Sequence, residues 1–244
     1  LLLETGAANP SARSLEIPEA LMGETMRQVI THEIGHALGL QHNMVASNSF
    51  PVESLRDPKF TSKYGVSATI MDYARQNYIA QPGDGLAPKD FIRRRGPFDD
   101  FAINWGYRVL PAKTEADEKK TLNDWAKEQD AKSYLRFSTF NARGSDPGEN
   151  TEAVGDADAI VATGLGIKNL RRVADMLLPA TSQMGEPYDD LGELYARMLG
   201  QWSIELNHVT GIVGGFNSQQ KHNGQDGVRF VIVPKGRQAP AVRF

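Results

Sequence analysis

One stretch constrains this chain more than any other. Thr31-His32-Glu33-Ile34-Gly35-His36-Ala37-Leu38-Gly39-Leu40-Gln41-His42 has the form H-E-x-x-H-x-x-G-x-x-H. Residues four apart on an α-helix differ by about 40° in azimuth and about 6 Å in height. His32 and His36 therefore leave the helix on one face and can reach a single ion. A third ligand on the same helix would lie too far along it. The chain has to turn back, and Gly39 permits the backbone conformation for that turn. His42 then completes a set of three imidazoles. Three neutral imidazoles with a fourth position left to water make a Zn²⁺ site of the catalytic kind. Zinc lowers the pKa of its bound water from about 15.7 towards about 7. Glu33 is placed to take a proton from that water as it attacks a peptide carbonyl, then to hand it to the leaving amine.

Chance is a poor explanation of the pattern. The chain has five histidines, and three of them fall within this motif. A random match at all the fixed positions has a probability of roughly one in 10⁵. An amphipathic helix with incidental histidines accounts for one such residue, not for three.

Apolar spacing sets the surrounding organisation. Met22, Met26, Val29, Ile30, Ile34, Ala37 and Leu38 recur at helical intervals and predict a helix over residues 19–39. Residues 1–17 and 43–55 read as irregular. A short helix is expected at 55–64, closed by Gly65, followed by a compact apolar turn at 66–73. The tract 81–85 reads as a loop, and 98–105 as a helix stopped at Gly106. Residues 114–131 predict an exposed helix, and 134–137 a short strand. Residues 141–152 read as a loop or linker. Helices are expected at 157–162, 165–179 and 187–213, a mobile Gly-rich tract at 214–227, and a strand at 228–233.

Composition narrows the function classes. The chain has 244 residues and no cysteine, which excludes thiolate metal sites, disulfides and cysteine nucleophiles. The net charge of −3 gives no bulk attraction to nucleic acid. No apolar run approaches a membrane span. Leu1-Leu2-Leu3 is too short for the apolar core of a signal peptide.

With these residues in view, the sequence resembles the metzincin metalloproteases, whose long zinc motif is followed by a Met-turn. Ser67-Ala68-Thr69-Ile70-Met71-Asp72-Tyr73 looks like that turn, with Met71 beneath the metal. The resemblance implies that Tyr73 serves as an extra zinc ligand or oxyanion donor. It is closer still to the "Met-zincin" domain of large bacterial zinc-dependent proteases. The similar stretches are 36–43, 70–73, 82–85, 98–107, 166–170 and 207–215, which span most of the chain. Metzincins place a mixed β-sheet before the active-site helix, and here about 20 residues precede it. The expected fold class is therefore mainly α with little β: a zincin-like active-site helix, a Met-turn and a helical C-terminal part, without the N-terminal sheet. The missing N-terminal part of the same full-length protein is expected to complete the cleft. The resemblance also implies an extracytoplasmic location.

Other candidates carry less. His208 reads as a packed or surface residue, and His222 as solvated. Arg93-Arg94-Arg95 reads as a solvated basic run rather than an anion site. Gly164-Leu165-Gly166 lacks the other residues of a nucleotide loop. Asp84, Asp156 and Asp158 lack calcium-loop spacing and read as turn residues.

The expected division is a zinc-binding catalytic segment at 1–110, a polar connecting region at 111–156, and a helical region at 157–244 packing on the first. The expected activity is zinc-dependent endopeptidase on peptide or protein substrates. His32, His36 and His42 would bind Zn²⁺, Glu33 and Tyr73 would be catalytic, and Met71 and Gly39 would support the site. The alternative is a catalytically silent zinc-bearing module within a larger protein.

Overall fold

The structure, a computed structural model, describes residues 1–139 and 146–244. Part of the linker expected at 141–152 lies outside the described residues. What is described is mainly helical, with a single two-stranded sheet. A short helix α1 (Leu2–Thr5) precedes the long helix α2 (Glu19–Ala37), which carries His32 and His36. Pro18 stands at the N-cap of α2, where a missing N–H costs nothing. Its C-terminus closes as a Schellman turn: the amides of Gly39 and Leu40 donate to the carbonyls of His36 and Gly35, at 2.9 and 3.0 Å. Gly39 takes φ +82°, the left-handed conformation that this closure demands.

Beyond the motif the chain forms α3 (Pro58–Tyr64), α4 (Pro97–Tyr107) and α5 (Glu115–Ala126). The main apolar core joins Leu55, Val66, Ala68, Tyr78, Ile79 and Phe98 beneath the turn at 66–73. The long helices α6 (Ala159–Thr181) and α7 (Asp189–Thr210) pack on each other as a hairpin, and a second core joins them to Leu2 and Ala7. Asn169 of α6 ties this hairpin to the core by donating to the carbonyls of Tyr78 and Ala80, at 2.8 and 2.7 Å.

Several elements differ from the expected ones. The strand expected at 134–137 is a 3₁₀ turn, Ser133–Leu135, running into extended chain. That chain pairs with Asn43 and Met44 instead of with a strand: Ser138 N donates to Asn43 Oδ1, and Met44 N to Ser138 O. The two helices expected at 157–179 are one, because Gly164 and Gly166 are accommodated inside α6. The Gly-rich tract expected to be mobile contains β1 (Phe216–Ser218) and is tethered by Asp130, which accepts from Gln219, Lys221 and Gln225. β1 pairs antiparallel with β2 (Phe230–Ile232), which falls within the strand expected at 228–233. A last helix, α8 (Lys235–Arg243), follows a proline and carries Pro240 within it. No helix among the described residues is long and apolar enough to cross a membrane.

One face of α2 is bare. Only Leu21, Gln28 and Gly35 of this helix are buried. Met26, Ile30 and Ile34 are 52–53% exposed, and Met22, Val29 and Leu38 are exposed as well. The apolar stripe that predicted the helix faces outward.

Candidate metal centre

His32, His36 and His42 converge. The Nε2 atom of His42 lies 3.2 Å from that of His32 and 3.0 Å from that of His36. Four-coordinate zinc with Zn–N bonds of about 2.0–2.1 Å separates its ligand nitrogens by about 3.3 Å. The trio is therefore already close to the spacing that one such ion requires. Among the described residues it is the one group of three metal-ligating side chains gathered in this way.

Two carbonyls set the tautomers. His32 Nδ1 lies 2.8 Å from the carbonyl oxygen of Ile70, and His36 Nδ1 lies 2.9 Å from that of Leu40. A carbonyl can only accept, so each Nδ1 carries the proton and each Nε2 presents a lone pair. This is the outer-shell arrangement that orients ligating histidines. It also explains the Schellman turn, which brings the Leu40 carbonyl back over His36. His42 titrates below its ordinary value because partial burial and the neighbouring His36 and His32 disfavour its cation, while Glu33 opposes them. A neutral imidazole is the form that binds a metal.

The turn at 67–73 is held from within and from α4. Ser67 Oγ donates to Asp72 Oδ2 at 2.8 Å, and Met71 N donates to Thr69 Oγ1 at 3.0 Å. Asp99 of α4 accepts from Thr69 Oγ1, Ile70 N and Gly96 N. Gly96 lies so close to the Ala68 carbonyl that no Cβ fits there. Met71 is 1% exposed and its sulfur lies against Gly35 of α2. Tyr73 packs against the triad, its ring tilted by 49° to that of His42 with centroids 4.2 Å apart, and is 44% exposed. Glu33 is exposed on the same helix as His32 and His36.

A family model described as Met-zincin matches residues 14–244. The chain belongs to the Met-zincin family. The matched span takes in the three histidines, the turn at 67–73 and the α6–α7 hairpin. No curated protein and no solved structure matches the chain. The matched span includes His32, Glu33, His36, Gly39, His42, Met71 and Tyr73.

The remaining candidates separate cleanly. His208 is buried and its Nε2 donates to the Thr151 carbonyl at 2.9 Å. His222 is exposed and lines an apolar cavity of about 620 Å³, whose wall includes Met71 and residues 38–41 between His36 and His42. Asp84 holds its own loop by accepting from Arg56 and Gln81 N. Asp158 caps α6 through Val161 N, and Asp156 is buried. Arg94 pairs with Asp90 and Arg95 with Asp100. Arg93 departs from the solvated reading: it is largely buried and donates to the Asp72 carbonyl.

Sequence reading missed Gly35, Asp99 and the carbonyls of Ile70 and Leu40. A glycine inside a helix costs about 1 kcal/mol against alanine and signals a close approach, so Gly35 carried a readable mark. The carbonyls carried none, because every residue has one.

Proposed function

We propose that this chain is the metal-binding part of a zinc-dependent endopeptidase. The observation that carries the reading is the convergence of three Nε2 atoms, two of them fixed as lone-pair donors, beside Glu33. The donor set fits zinc: neutral imidazoles, nitrogens near the spacing of one four-coordinate ion, and the Ile70 and Leu40 carbonyls holding two of the rings. His32, His36 and His42 would hold the ion. When bound, zinc supplies an activated water at neutral pH. Glu33 accepts the proton of the attacking water and returns it to the leaving amine. Tyr73, against His42, is placed to donate to the oxygen on which negative charge develops. Met71 seats the triad from below, and Gly39 turns the chain back to His42.

The bare face of α2 supports a second element of the proposal. A stripe running from Met22 to Leu38 at this exposure is more than scattered surface hydrophobics. The N-terminal part of the same full-length protein would cover it and complete the substrate cleft. The same bare face favours the alternative, a zinc-bearing module that is silent as a fragment. Elemental analysis of the purified chain, with His36→Ala beside it, tests the metal. Hydrolysis of an unfolded protein by wild type and Glu33→Ala tests the chemistry. About one zinc per chain, lost in His36→Ala, with hydrolysis lost in Glu33→Ala, supports the peptidase. Zinc without hydrolysis, even in a longer chain, supports the silent module.

A further inference from the structure

We propose that Arg93 anchors a carboxylate of the peptide substrate beside the metal centre, which makes peptides that present a carboxylate there the preferred ligands. The inference rests on the peptidase reading above and adds the substrate chemistry to it.

Arg93 is the member of the run 93–95 that no carboxylate pairs with among the described residues. Its neighbours in the run are committed to Asp90 and Asp100. A guanidinium has five N–H donors. Here Nη1 donates to the carbonyl of Asp72, while Nε is enclosed without an acceptor. Asp72 and Glu4 act on the cation through space without reaching ion-pair distance, and burial works against it. A largely buried cation without a paired anion is costly, and a ligand anion removes that cost.

The position suits a substrate. Asp72, whose carbonyl holds Arg93, lies between Met71 and Tyr73, and the Tyr73 ring packs against that of His42. Arg93 and Tyr73 line one cavity of about 680 Å³, together with Arg75, Gln76, Glu4 and Glu152. The other charges there are engaged. Arg75 pairs with Glu152 at 2.6 Å, and Glu4 accepts from Gln76 N at 3.3 Å. Gln76 in turn binds Gln28 of α2 at 2.8 Å, and Arg93 N donates to Gln76 Oε1 at 3.4 Å, so this wall is tied to the active-site helix. What remains for a ligand is one cation, and a planar guanidinium matches a carboxylate.

The carboxylate can be an acidic side chain or a peptide C-terminus, and three acetylated peptides of one sequence distinguish them. The first carries an internal Glu and an amidated end. The second replaces Glu by Gln and has a free end. The third has Gln and an amidated end. Binding is measured by calorimetry on the zinc-loaded Glu33→Ala chain, so that no hydrolysis is needed. The first or the second should bind about tenfold or more tightly than the third, and the tighter one names the source. Arg93→Met should abolish the preference, and Arg93→Lys should keep part of it, with circular dichroism reporting the fold. Equal binding of the three peptides overturns the Arg93 site alone. So does a preference that survives Arg93→Met, in which case Arg93 serves only as a counterion to Asp72. Binding of none of them overturns the site together with the peptide cleft.

Discussion

Gly35 and Met71 occupy the same space from two sides. A Cβ at Gly35 would collide with the Met71 sulfur, so the helix that carries the histidines and the turn that supports them meet at a glycine. Gly35→Ala gains about 1 kcal/mol of helix propensity. Overpacking against Met71 costs about 1–3 kcal/mol, so the collision should win. Gly23 in the same helix has open space at its Cβ position, and Gly23→Ala should stabilise by about 0.5–1 kcal/mol. Denaturant unfolding of the two variants should give opposite signs, and Gly35→Ala should also weaken zinc binding. Equal signs would refute the contact.

Asp99 links α4 to His32 through two bonds. Its carboxylate holds Ile70 N, and the carbonyl of Ile70 holds His32 Nδ1. Asp99→Ala leaves Ile70 N, Gly96 N and Thr69 Oγ1 without that acceptor. Unmaking such buried bonds costs about 1–3 kcal/mol each, lessened where the turn relaxes. The variant should unfold earlier and bind zinc about tenfold or more weakly, as outer-shell changes do. A competition titration against a chelator reads the second effect. Unaltered affinity in a folded variant would show that the turn holds His32 without Asp99.

Glu205 and His208 pull stability in opposite directions with pH. Burial raises Glu205 to about 7 and lowers His208 to about 4. Glu205 keeps its proton in the folded chain while the unfolded chain has lost it, so its contribution is full below pH about 4.5 and gone above about 7. His208 stays neutral when folded, so its contribution is full above pH about 6.5 and lost as pH falls through about 4. Between these limits the two nearly cancel. Glu205→Gln mimics the protonated acid and removes one arm. The stability of the variant relative to wild type should therefore rise from pH 4.5 to 8, by at most about 3 kcal/mol. Urea melts across that range measure the difference. A flat difference would mean that Glu205 titrates normally.

The convergence of the three histidines was legible because these residues are chemically rare and their spacing encodes helix geometry. His32 and His36 need only the helical repeat, and His42 needs only the turn at Gly39. The supports were not legible, because Asp99 and the Ile70 carbonyl act through partners distant in the chain. Local propensity failed where tertiary partners took over. Tyr134 and Phe137 suggested a strand, yet the backbone at 136–138 is satisfied by Asn43. Gly164 fell in the expected break between two helices, yet α6 runs straight through it. No helix was expected at 235–243, and Pro240 stands beyond the first turn of α8, where proline removes a helical hydrogen bond.

The stripe on α2 predicted the helix but not its surroundings, since periodicity reports a face and not what covers it. Ile30 and Met26 are more than half exposed. In the chain as it stands, Ile30→Lys should change unfolding free energy by less than about 0.5 kcal/mol, as surface substitutions do. It should also reduce self-association, read by sedimentation. If the preceding segment of the full-length protein packs here, the same substitution in a chain carrying that segment should cost about 2 kcal/mol or more, because it buries an unpaired charge. Hydrolysis should fall with it, since the cleft would lose one wall. Equal and negligible effects in both chains would mean that the stripe stays open, and that the cleft is built without it.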